Sequence, residues 1–214
     1  MTFAIVLIGW IITLSFHEFS HALVAYYGGD TTVKEKGYLT FNPLKYTHPV
    51  YSLLFPVLFL LMGGIGLPGG AVYIETWRLR SRQWQSAVSI AGPIANLIVA
   101  FLLGLVFTLT TVGQTSFGPG LAFLALLQVT AALFNLIPVP PFDGFGALRP
   151  QLPESIRARM DAISGVSVWL VLAAFWYLPW VGSFFWMGVG IVARFLGVPL
   201  ELALVGQNDF RFWQ

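Results

Sequence analysis

Residues 3–27 read FAIVLIGWIITLSFHEFSHALVAYY. A helix rises 1.5 Å per residue, so about 20 apolar residues span the roughly 30 Å of bilayer hydrocarbon. This run is long enough to cross. Yet it carries His17, Glu18 and His21, and so holds two of the chain's three histidines. Ionisable groups at membrane depth are expensive and mark function. The run therefore reads as a transmembrane helix built around a polar site.

The rest of the chain has the same character. Of 214 residues, 57% are hydrophobic and 9% are charged, and the mean hydropathy is +0.79. A soluble domain carries about 25% charged residues, so the composition is that of an integral membrane protein whose solvent is the lipid bilayer. The net charge of +2 is small, and the basic residues lie between apolar runs, which excludes a nucleic-acid binder. The absence of cysteine removes disulfides and thiolate metal ligands. The first run has no basic leader and exceeds a signal-peptide core in length, so it is expected to be a retained span.

Candidate spans are 3–27, 49–67, 84–111, 119–138, 163–180 and 182–197. The basic residues form four groups: Lys34, Lys36 and Lys45; Arg78, Arg80 and Arg82; Arg149, Arg157 and Arg159; Arg194 and Arg211. The positive-inside tendency places all four on the cytoplasmic side. That parity holds only if 49–67 enters the membrane and returns. Pro56 and the glycine-rich end of YSLLFPVLFLLMGGIGLPGG permit such a reversal. After it, AVYIETWRL (71–79) alternates apolar and polar residues, which predicts a short strand near the membrane face.

His17 and His21 are four apart, so both imidazoles project from one helix face, as two nitrogen ligands of one zinc ion would. In an HExxH pattern the glutamate binds no metal and accepts a proton from water. A catalytic zinc takes three protein ligands and keeps one position open. The third ligand must come from His48, Asp30, Glu35, Glu75, Asp143, Glu154, Asp161, Glu201 or Asp209. Asp143 stands out within FNLIPVPPFDGFGALRP, where prolines and glycines fix a turn just after an apolar helix. An aspartate before glycine is also an ordinary turn former. His48 reads as an interfacial loop residue. Tyr26, Tyr27, Trp176 and Trp180 read as interface anchors, and Glu75 as a solvated strand residue.

HEFSH in a first transmembrane helix, AGPIAN (91–96) opening a later one, and NLIPVPPFDG (135–144) closing another resemble the site-2 protease family of intramembrane zinc metallopeptidases. The resemblance covers about residues 10–150. GYLTFNPLKYTHP and the short 112–119 turn resemble the compact branch that lacks a PDZ domain. The resemblance implies one zinc ion per chain held by His17, His21 and Asp143, with Glu18 as general base. It implies that Asn135 steadies the substrate or the oxyanion and that Asn96 lies near the substrate. It also implies that residues 63–78 form a membrane-entering β structure that clamps an extended substrate, with Tyr73 on the pairing edge.

The expected fold is therefore an all-α polytopic membrane protein of about five to six transmembrane helices with a small membrane-entering β element. One membrane-embedded domain covers 1–214, with a motif-bearing core at about 10–150 and additional helices at 163–197. The expected activity is zinc-dependent endoproteolysis of a transmembrane segment of another membrane protein. The site would face the cytoplasmic side of a prokaryotic plasma membrane. The competing reading is a zinc-binding membrane protein without protease activity, either a carrier or an inactive substrate-holding relative. A carrier needs polar groups through both leaflets, whereas here they gather towards one side. An inactive relative would have lost Glu18 or a ligand, and this chain keeps them.

Overall fold

The structure, a computed structural model, describes residues 1–45 and 72–211. Helix α1 (Thr2–Gly28) follows the opening apolar run. It stops at Gly29, whose φ of 121° suits glycine and few other residues. Helix α2 (Thr32–Glu35) is a single turn. It starts where Asp30 Oδ1 accepts from the Thr32 backbone N–H (3.1 Å) and hydroxyl (2.6 Å). Helix α3 (Arg82–Leu109) is capped by Ser81, whose Oγ accepts from Trp84 N–H at 3.4 Å. Helix α4 spans Gly118–Asn135, α5 Asp143–Leu148, α6 Glu154–Tyr177, α7 Pro179–Phe195 and α8 Leu200–Phe210. Pro119 and Pro179 sit in the first turns of α4 and α7, where no N–H is missed.

Helix α4 is the centre of the bundle, with 78% of its apolar window buried. Helices α1, α3 and α8 pack around it. Its start lies by the start of α1, where a Cβ on Gly120 would touch Ile5, so the two helices run the same way. Helix α3 runs against α1, since Arg80 N–H donates to Gly28 O (2.9 Å) just before α3 begins. The end of α1, the start of α3 and the end of α4 thus meet at one end of the bundle. Helix α6 lies outside, with only 6% of its window buried. Trp169, Trp176 and Phe195 are exposed (68%, 85% and 88%), which in an integral membrane protein places them against lipid.

By length and hydropathy, α1, α3, α4 and α6 can each cross a membrane. The α7–α8 pair, bent by 117°, makes up to five spans. The expected segment 49–67 lies outside the described residues. The candidate spans 163–180 and 182–197 fall on α6 and α7. Ser167 Oγ of α6 donates to Pro140 O in the turn before α5, and Phe175 and Phe185 both pack their rings against Phe134, one tilted and one edge-on. From there α7 continues away, until Leu196 lies against Gly104 of α3. Gly104 is 12 residues past Gly92, or roughly 18 Å along the helix. Asp209 of α8 accepts from Thr2 Oγ1 at 3.5 Å, at the start of α1. Arg194 and Arg211 therefore stand at the opposite end from the other basic groups, and the one-sided charge count behind the parity argument fails.

Among the described residues there is no strand. Val72–Glu75 is irregular and Thr76–Arg78 is a 3-10 turn. The alternation that predicts a strand at 71–79 arises because Val72 and Ile74 pack on the core of Ala22, Ala25, Val33 and Val88. Tyr73 faces outwards and is 64% exposed. Ladder hydrogen bonds are replaced by bonds to α1 and to the α1–α2 corner, described below. Residues 63–71 of the expected β element lie outside the described residues.

Candidate metal centre

His17 and His21 lie on the buried face of α1, 5% and 6% exposed. Their Nε2 atoms are 3.0 Å apart. Asp143, the first residue of α5, brings Oδ2 to 3.4 Å from His17 Nε2 and 3.5 Å from His21 Nε2. Ligands about 2.0–2.1 Å from a tetrahedral ion stand about 3.3 Å from each other. Two nitrogens and one oxygen at this spacing fit the three-ligand set of a catalytic zinc, with one position left open. Among the described residues this is the group that could hold a metal ion.

The surroundings aim these donors. His21 Nδ1 donates to Val88 O at 2.6 Å. A carbonyl only accepts, so Nδ1 carries the proton and Nε2 keeps its lone pair for a metal. Gly92 lets the α3 backbone lie directly on the histidines, for a Cβ would collide with both Nε2 atoms. Gly144 does the same for Asp143, since a Cβ would strike the Leu136 carbonyl. The tight 136–144 turn, with its cis Pro140–Pro141 bond, carries the carboxylate back to α1.

Glu18 is buried beside the ligands, 4% exposed. Its Oε2 accepts from Val72 N–H at 3.3 Å. The 72–80 segment that supplies this N–H is tied down along its length. Asp30, fully buried, accepts from Glu75 N–H at 2.7 Å. Lys36 Nζ donates to Tyr73 O (3.3 Å) and to Glu75 Oε1 (2.9 Å). Arg78 Nε donates to Glu75 Oε2 at 2.5 Å. Hydrogen bonds from Lys36 and then Arg78 hold Glu75 near about 2, against an ordinary 4.5. Sequence reading takes Glu75 for a solvated residue and Asp30 for one of many acids. Their partners lie 39 and 45 residues away, and no local pattern shows that.

Asn96 of α3 and Asn135 of α4 are each 4% exposed, and both line a narrow cleft beside His17. Tyr73 lines a separate cavity of about 410 Å³ with Gln85, Val88 and Ser89. The residues expected at the site thus gather round it, apart from Tyr73, which stands at its edge. His48 lies outside the described residues. Sequence reading passed over Trp10, Thr13 and Gln128, which line the cleft on its far side from the ligands. Gln128 is 1% exposed in an apolar helix, and a polar residue at that depth was the available signal.

Two imidazoles and a carboxylate converging inside an all-helical bundle with membrane-length helices define a membrane-embedded metalloprotein. The model of peptidase family M50 matches residues 3–118. The chain is 45% identical over 215 residues to a Mycolicibacterium smegmatis protein named "Putative zinc metalloprotease Rip2", covering 99% of this chain and 81% of that one. It is 41% identical over 219 residues to the Mycobacterium tuberculosis protein of that name, covering 99% and 81%. It is 36% identical over 172 residues to the Bacillus subtilis protein named "Putative zinc metalloprotease YwhC", covering 76% of each. No solved structure matches the chain. The chain belongs to peptidase family M50, the site-2 protease family. Eight residues, 110–117, separate α3 from α4, so no PDZ domain is inserted there.

Proposed function

We propose that this protein is an intramembrane zinc endopeptidase that cleaves transmembrane segments of other membrane proteins. The observation that carries this reading is the convergence of His17, His21 and Asp143 beside the buried carboxylate of Glu18. The three donors would hold one zinc ion. The relatives' names as zinc metalloproteases support that metal. When bound, zinc acts as a Lewis acid that acidifies water and polarises the peptide carbonyl.

The chain's own groups do the rest. Glu18 accepts the proton of the attacking water on its carboxylate and returns it to the leaving amine. The Val72 N–H fixes the rotamer of that carboxylate. Asn135, nine-tenths buried next to His17, is placed to donate to the developing oxyanion. Asn96 faces the same cleft and contacts the substrate. A helical substrate hides its carbonyls in i→i−4 bonds, so it must unwind before attack. The cavity bordered by Tyr73, Gln85 and Ser89 is the place for the unwound segment.

The metal end of the bundle faces the cytoplasm. Lys34, Lys36, Arg78, Arg80, Arg82, Arg149, Arg157 and Arg159 gather there, while Arg194 and Arg211 stand at the other end. That bias has the sense of the positive-inside rule. The described helices act as one catalytic domain of the bacterial plasma membrane. The carrier reading has less support, because the metal donors lie at one end of α1. Zinc content and cleavage of single-span substrates by wild type and by Glu18→Gln test the proposal.

A further inference from the structure

Helices α7 and α8 part from each other by 117°, and α4 closes the open side of the wedge between them. The space enclosed by the three is a groove of about 300 Å³. Its floor is apolar and deeply buried: Phe123 and Leu127 of α4 and Val189 of α7 are each 1% exposed. Its mouth lies between Trp186 of α7 and Leu204 of α8, 45% and 54% exposed. Gly190 holds it open, since a Cβ there would meet nothing within 4 Å. Gln128 and Asn135 of α4 face the cleft beside His17, whereas Leu126 and Thr130 face this groove, so the two lie on different sides of α4. Helix α7 packs Phe185 on Phe134 near the metal end of the bundle and rests Leu196 on Gly104 further along. Gly190 is midway between those two contacts. The groove therefore opens at hydrocarbon depth, where no water is present to fill it.

From Phe123 to Thr130 the groove follows α4 for seven residues, roughly 10 Å. Its volume over that length leaves a cross-section of about 30 Å². A helix 10–12 Å across takes roughly 80 Å² or more, so a transmembrane helix does not fit. An extended hydrocarbon chain does. We propose that this groove is a binding site for one acyl chain of a bilayer phospholipid. The floor asks for nothing polar, because Thr130 Oγ1 already donates to Leu126 O at 2.9 Å. Gln207 of α8 brings an amide to the groove. It lies two residues before Asp209, which meets Thr2 where α1 starts. The ester end of the lipid belongs there, in the leaflet far from the metal donors, and its chain runs towards Thr130. The chain completes the packing of α7 and α8 on α4, as a side chain would. This inference needs the membrane setting and not the protease reading.

The test uses the full chain in phosphatidylcholine vesicles doped with a phosphatidylcholine that carries a diazirine in mid-chain. The protein is extracted into lipid-free detergent, so that only retained lipid stays with it, then irradiated and mapped by peptide mass spectrometry. Adducts are expected on the α4, α7 and α8 residues of the groove. Gly190→Phe fills the groove from its open side and should lower those adducts by at least about ten-fold, with zinc content unchanged. Gly188→Phe, where a Cβ likewise meets nothing within 4 Å but which does not line the groove, should leave them as in wild type. No adducts, adducts spread evenly over the exposed faces of α6 and α7, or adducts unchanged in Gly190→Phe overturn the site. Loss of the adducts on adding a single-span substrate also overturns it, by giving the groove to a protein segment. None of these outcomes depends on cleavage, so the protease reading stands or falls separately.

Discussion

The carboxylate of Glu18 accepts a hydrogen bond from the backbone N–H of Val72 at 3.3 Å, across 54 residues of sequence. The proposed base is thus oriented by a segment outside its own helix. Val72→Pro removes that N–H and leaves the three metal donors untouched. Zinc content should stay at the wild-type level, while kcat falls by about 10–100-fold, part of the ~10²–10⁴ that a positioned general base supplies. Single-turnover kinetics with metal analysis on the same samples checks it. Full activity in this variant would show that Glu18 needs no such support.

The ligand set should behave as a unit. His21→Ala and Asp143→Asn each remove one donor. Each should weaken zinc binding by more than the ~10–100-fold typical of losing an outer partner. Competition against a chelator measures this directly. Equal affinity in Asp143→Asn would transfer the third ligand to another residue.

Gly92 tests the packing of α3 on the histidines. Its Cβ would enter the space of both Nε2 atoms. Gly92→Ala should lose zinc and destabilise the bundle by about 1–3 kcal/mol, the usual effect of overpacking. Gly165→Ala, where a Cβ meets nothing within 4 Å, is the matched control and should melt like wild type.

The Lys36–Glu75–Arg78 cluster sets an acid limit. Glu75 titrates near about 2 in the folded chain, below its ordinary 4.5. Its stabilising contribution is therefore complete above pH 4.5, fades as pH falls, and is gone below about 2. The 72–80 segment should stay docked from neutrality down to about pH 4. Glu75→Gln should make that segment sensitive to limited proteolysis at every pH in that range. Protection in Glu75→Gln equal to wild type would show that Asp30 alone holds the segment.

The parts of this fold that declare themselves in sequence are those with local signals. Four of the membrane-length helices follow the apolar runs to within a few residues at most ends, and α6 begins well before its run. HEFSH puts two ligands on one helix face by spacing alone. Asp143 stood out for its proline- and glycine-rich turn after an apolar helix, but an ordinary turn-forming role stayed open until the family resemblance implied a ligand, because the return of that turn to α1 depends on close approaches at Gly144 rather than on a local pattern. Long-range bonds were not legible. Asp30 and Glu75 look like ordinary acids until their partners are seen across 39–45 residues. The 71–79 alternation does reflect one buried and one exposed face, but side-chain bonds take the place of a strand partner. The packing of α6 and α7 was not legible because hydropathy reports length and not direction. Which end of the bundle α7 reaches is decided by Leu196 against Gly104, a contact with no signature in either segment.

The most direct measurement is zinc per chain together with cleavage of single-span substrates, for wild type and Glu18→Gln side by side. The account predicts one zinc in both, with cleavage by wild type and a loss of at least ~10²-fold in the variant. Equal cleavage by Glu18→Gln, or no zinc in either protein, would contradict it.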